Sequence, residues 1–74
     1  MAQRPYSTRA QRALDLAQTA SANLGKEYIG TEHILIGLLE EQTGPAAQIL
    51  THLGVTADQV RRLLREGPPP SVAQ

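Results

Sequence analysis

Apolar residues recur along this chain in four stretches at three- and four-residue steps, the period of a helix face, and nowhere alternate as a strand requires. The sharpest stretch is Tyr28-Ile29-Gly30-Thr31-Glu32-His33-Ile34-Leu35-Ile36-Gly37-Leu38-Leu39. Thr31 reads as an N-cap, and Glu32 stands in the first turn, where a carboxylate meets the positive end of the helix dipole. Ile34, Leu35, Leu38 and Leu39 fall at the spacing of one buried face, and the helix should run to Glu41 or Gln42. No other stretch is as apolar, so the remaining helices are expected to pack around it.

Ahead of it, Ser7 or Thr8 opens a first helix, and Thr8 with Gln11 has capping-box spacing. Ala10, Ala13, Leu14, Ala17, Ala20 and Leu24 form a stripe whose small side chains admit a close neighbour, and Leu24-Gly25 is a stop signal. Thr43-Gly44-Pro45 breaks the chain and restarts it, proline being tolerated in a helix's first turn. The third helix, over 45–53, points Ala46, Ala47, Ile49, Leu50 and Leu53 inward and stops at Gly54. Thr56 and Gln59 form a capping box, with Val55 and Val60 placed as a hydrophobic staple. The fourth helix has Val60, Leu63 and Leu64 inward and Arg61, Arg62 and Arg65 outward, with Asp58 positioned to pair with Arg62. Gly67 and the prolines after it end that helix. The fold class is therefore all-α, four helices joined by short turns.

At 74 residues the chain is one domain at most, of a size that buries only roughly 60% of its unfolded surface. No cysteine is present to staple it or to bind zinc. Seven basic residues balance seven acidic ones, which argues against a nucleic-acid arm. The first dozen residues are polar and do not resemble a signal peptide, and the run 34–39 is far too short to span a bilayer. The cytoplasm is the default compartment, and no membrane role is expected.

Catalysis and metal binding find no support. Two histidines stand without a Cys/Asp cluster, and no Ser-His-Asp set is readable. His33 reads as a structural residue hydrogen-bonded near Tyr28 or a loop, and His52 as solvent-facing. No cofactor is expected.

The run Gly30-Thr31-Glu32-His33-Ile34-Leu35-Ile36-Gly37-Leu38-Leu39 closely resembles the repeat of the Clp N-terminal domain, nearest to ClpC-type unfoldases. Arg9-Ala10, Leu24-Gly25, Ala46-Ala47 and Leu53-Gly54-Val55 agree with it, and the resemblance covers about residues 6–67. It implies a helical repeat over 7–67; the polar residues 1–6 read as a lead and 68–74 as a proline-rich disordered tail or linker.

In that family two such repeats, related by a pseudo-twofold axis, precede AAA+ ATPase modules and receive substrates and adaptors for an unfoldase that feeds a protease. This chain holds one repeat, half of the usual domain, and no Gly-x-x-x-x-Gly-Lys-Ser/Thr loop, so neither ATPase nor unfoldase activity is carried over. The missing repeat leads us to expect a homodimer that restores the twofold arrangement.

The resemblance also implies a reader of phosphoarginine. Glu32 occupies the family's guanidinium-binding position and Ser7 a phosphate-contacting hydroxyl position, with Thr31 and Gly30 at the same helix start. Gln11 stands where some repeats carry a phosphate-contacting lysine, a gap that Arg9 or Arg12 could fill. Tyr6, Ala10, Gln11 and Leu14 mark a dimer seam or a surface for the cyclic-peptide antibiotics that bind such domains. The functional class is thus a non-enzymatic binding module. The alternatives are a decoy that sequesters such peptides and the front fragment of a longer unfoldase.

Overall fold

The structure is a computed structural model, and it describes residues 4–66. Four helices follow one another: α1 (Thr8–Asn23), α2 (Thr31–Glu41), α3 (Pro45–His52) and α4 (Ala57–Glu66), with no strand among the described residues. Of the expected lead at 1–6, residues 1–3 lie outside the described residues, as do Gly67 and the expected tail at 68–74.

Helix α2 is the centre, as its composition predicts. Helices α1, α3 and α4 all pack on it and make no comparable contact with one another. The α1–α2 pair is the most extensive contact and is antiparallel. Gly37 of α2 faces Ala13 and Ala17 of α1, Ser21 near the end of α1 reaches the loop before α2, and Arg9 near its start reaches Gly44 beyond α2. The alanine stripe does what its small side chains permit: Ala13, Ala17 and Ala20 are buried and let two backbones approach.

The buried face of α2 is rotated from the predicted one. Ile36, His33, Gly37, Leu39 and Glu41 are buried, whereas Ile34, Leu35 and Leu38 are only half-buried. Where six consecutive residues are apolar, the pattern alone does not choose a face. The close approach at Gly37 chooses it here.

Helices α3 and α4 are less buried than their patterns imply. Of the α3 set only Ala47 is buried, while Ile49 and Leu53 are 60% and 70% exposed. In α4 no residue is buried, and Leu63 and Leu64 face solvent instead of the core. Arg61, expected to point outward, turns toward α2 and forms an ion pair with Glu40. Asp58 pairs with Arg61 at 3.1 Å rather than with Arg62. An ionic contact and the half-buried Val60, not leucine burial, seat this helix.

The helix ends account for their backbone groups locally. Ser7, not Thr8, caps α1 by accepting from the Ala10 N–H at 3.1 Å, and the Gln11 side chain donates to Asp15 at 3.2 Å instead of closing a capping box. Gly25 and Gly54 take the left-handed conformation and close α1 and α3, with Lys26 N–H on the Ser21 carbonyl at 3.0 Å and Val55 N–H on that of Leu50 at 2.9 Å. The Thr56–Gln59 capping box forms in both directions, at 3.1 and 3.2 Å.

Candidate functional site

The loop from α1 to α2 is held at three points, and these set the geometry of the α2 entrance. Ser21, buried on α1, donates its hydroxyl to the Tyr28 carbonyl and, at 3.4 Å, to that of Lys26. His33 Nδ1 accepts from the Gly30 N–H at 2.8 Å. The Gly30 carbonyl in turn accepts from the His33 and Ile34 N–H groups at 3.0 and 3.1 Å. Gly30 is therefore the N-cap, and Thr31, expected in that role, is the first helical residue, exposed at the surface. Half of a capping box operates: His33 serves the cap's N–H, and Gly30 has no side chain to reciprocate. His33 is structural and lies beside Tyr28, with ring centroids 5.7 Å apart.

Glu32 folds back over this cap. Its carboxylate occupies the space where a Cβ on residue 30 would stand. Three carboxylates on α2 are buried or half-buried. Glu40 is paired with Arg61, and Glu41 accepts from Thr43 and Gly44. Glu32 alone has no hydrogen bond or ion pair among the described residues. Tyr28 and Ile29, a few residues ahead of it in the chain, are 56% and 45% exposed.

Ser7 lies elsewhere. With Thr8, Arg9, Arg12, Thr43 and Pro45 it lines an open cavity of about 520 Å³ at the far end of the α1–α2 pair. Roughly 14 Å of helix separates Glu32 from Glu41, which sits at that end. Glu32, Thr31 and Gly30 are thus brought together at one mouth, and Ser7 is not. Tyr6 and Gln11 line an adjoining cavity with Ser7 and Arg12, whereas Ala10 and Leu14 are half-buried and outside its lining.

Sequence reasoning missed Glu41 and Ser21. Glu41 is buried, accepts from the Thr43 hydroxyl, and accepts at 2.8 Å from the N–H of Gly44, the cap of α3. The Thr43 hydrogen bond, then that of Gly44 and the nearby Arg9 and Arg12, hold its carboxyl below the ordinary value of 4.5 against the opposing effect of burial. One signal was available. A carboxylate at a helix C-terminus is unfavourable unless a donor meets it, and Glu40-Glu41 end α2 with Thr43 and Gly44 immediately following. Ser21 carried no comparable signal, because its partners are carbonyls of a loop whose path the sequence does not specify.

Among the described residues no group of three or more His, Cys, Asp or Glu is placed to hold a metal ion. No helix there is long and apolar enough to cross a membrane.

The family described as the Clp repeat (R) N-terminal domain matches residues 5–68. A chaperone protein ClpB of Oceanobacillus iheyensis is 44% identical over 57 residues, 77% of this chain and 7% of the relative. A chloroplastic chaperone protein ClpC of Pisum sativum is 46% identical over 77% of this chain and 6% of its own length. The negative regulator of genetic competence ClpC/MecB of Bacillus subtilis is 42% identical over 77% of this chain and 7% of its own. The chain therefore spans less than a tenth of the curated relatives it matches.

Proposed function

This chain belongs to the Clp repeat N-terminal domain family, and we propose that it is a non-enzymatic binding module that captures substrates or adaptors of the Clp protease system, phosphoarginine-bearing ones among them. The observation that carries this reading is Glu32: a half-buried carboxylate at a helix start, open to solvent, with no partner among the described residues. A guanidinium offers such a group two parallel N–H donors, a fit that an ammonium cannot match. Exposed Tyr28 and Ile29, a few residues ahead of it in the chain, suit the aliphatic stem of an arginine or an adjacent apolar residue.

A phosphoarginine also needs groups for its phosphate. Ser7, Arg9 and Arg12 suit that purpose chemically, but they sit at the opposite end of the helix pair from Glu32. One copy does not bring both ends to one small ligand, so the full site needs a second repeat. A homodimer over residues 7–67, with 68–74 as tail or linker, would supply it in an isologous arrangement. The same need would be met by a second repeat within a longer chain.

A second reading has one observation in its favour. Tyr6, 68% exposed, and Gln11 line a surface cavity at the start of α1, which suits a decoy for cyclic-peptide antibiotics. Titration calorimetry with free phosphoarginine tests the leading reading. The wild type should bind and Glu32→Ala should not. Equal heats from both, or none from the wild type, would reject phosphoarginine capture.

A further inference from the structure

We infer that the groove between α2, α3 and α4 is a second binding site, one that takes an uncharged polypeptide segment in extended conformation, with Gln42 held in a strained turn to serve it.

The strain is the first observation. Gln42 has φ 67° and ψ −27°, in the region a residue with a Cβ rarely visits. It is the one non-glycine residue of positive φ among the described residues. The Thr43 N–H reaches across it to the Glu41 carbonyl at 2.7 Å, closing a three-residue turn whose positive-φ form is rare and strained. Helices that end in a left-handed residue ordinarily place glycine or asparagine there. Glu41 holds this turn from both sides, accepting from the Thr43 hydroxyl and, at 2.8 Å, from the Gly44 N–H. A conformation kept against its own cost points to a use for the residue in it.

Gln42 lines a cavity. Helices α3 and α4 both pack on α2 and not on one another, which leaves an open cavity of about 720 Å³ between the three. Leu39 and Ala47, both buried, give it apolar lining. Gln42, Gln48 and Thr51 line it too and are exposed, and their side chains make no hydrogen bond among the described residues. The charged groups there, Glu40, Asp58 and Arg61, are paired with one another. The polar groups left for a ligand are carboxamides, hydroxyls and the His52 imidazole.

That chemistry favours one kind of occupant. A phosphate or carboxylate calls for a cation, and the one arginine of the groove is already taken. A carboxamide carries an acceptor and two donors, the complement of a peptide unit's N–H and C=O. An extended segment leaves those groups free, whereas the helices of a second copy have bonded most of theirs internally. Leu39 and Ala47 suit a small aliphatic side chain of such a segment. The site is independent of Glu32, which lies at the other end of α2, roughly 15 Å of helix away.

The test is an NMR titration of the isotope-labelled full chain with an acetylated, amidated peptide, Ser-Ala-Val-Ala-Ser. Saturable shifts should appear at the backbone and side-chain amides of Gln42 and Gln48. Gln42→Gly removes the carboxamide and relieves the strain together. It should bind roughly tenfold more weakly while melting at or above the wild-type temperature. The same peptide methylated on its backbone nitrogens should not bind, and free phosphoarginine should not displace the parent peptide. Peptide binding by a protein that takes up no phosphoarginine still supports this site. Absence of saturable shifts at Gln42 and Gln48, or equal affinity in Gln42→Gly, would overturn it. Equal affinity for the methylated peptide would overturn main-chain recognition, and displacement by phosphoarginine would overturn the independence of the two sites. A Gln42→Gly chain that melts below the wild type or fails to fold would overturn the strain on which the inference stands.

Discussion

Gly37 lies directly against the main chain of Ala13: a Cβ added at residue 37 would overlap the Ala13 carbonyl oxygen and stand 3.0 Å from the Ala17 nitrogen. Both obstacles are backbone, so neither can swing aside. The α1–α2 pair is the largest contact in the fold, and its spacing is set at this one point.

Gly37→Ala should therefore destabilise the protein despite alanine's better helix propensity. Overpacking of a tight contact costs roughly 1–3 kcal/mol, against about 1 kcal/mol gained from propensity. Thermal denaturation should show a net loss. A stabilised variant would mean that the helices sit further apart.

Glu41 makes stability depend on pH. Its carboxyl is held below 4.5 in the fold, so the unfolded chain takes up the proton first as pH falls. The contribution is complete above the unfolded value and is lost as pH drops through the lowered folded one. Glu41→Gln should flatten this acid limb, with the two denaturation midpoints converging at low pH. Parallel curves over the whole acid range would contradict the assignment.

Ser7 caps α1 through the Ala10 N–H. Ser7→Ala should cost about 0.5–2 kcal/mol by chemical denaturation, and Ser7→Asp should restore most of it. Thr8→Ala should be close to neutral. The opposite ranking would return the cap to Thr8.

Arg61 joins α4 to α2 through Glu40 while also contacting Asp58. The pair is about 30% exposed, where such contacts contribute about 0.2–1 kcal/mol and weaken with salt. Arg61→Ala should lose about that amount, with the difference from wild type shrinking at high ionic strength. A salt-independent loss would point to packing of the arginine stem instead.

Much of this fold is legible in the sequence because its boundaries are local. Gly25, Gly54 and the Thr56–Gln59 box act on groups a few residues away, and each forms as its spacing predicts. The faces of the helices are less legible. Six apolar residues at 34–39 leave the buried side of α2 undetermined, and it is the approach of α1 at Gly37 that exposes part of Ile34, Leu35 and Leu38 and buries Ile36. The apolar side of α4 reads as core, yet Leu63 and Leu64 have no covering element among the described residues. Thr31 has the side chain of a good cap. The chain uses the Gly30–His33 pair instead, a combination that propensity alone does not single out.

The candidate site divides in the same way. Glu32 is legible from the Gly-Thr-Glu-His resemblance, but that it alone of the three shielded carboxylates on α2 lacks a partner among the described residues follows from the folded arrangement. The separation of Ser7 from Glu32 follows from α1 and α2 being antiparallel, which no local spacing reveals.

The most direct test of the central claim is an amide NMR titration of the labelled protein with free phosphoarginine. The account predicts saturable shifts at Gly30, Thr31 and Glu32 that vanish in Glu32→Ala, with shifts at Ser7 and Arg9 only in a dimeric sample. Shifts confined to other surfaces, or a response at residues 30–32 that survives Glu32→Ala, would contradict it.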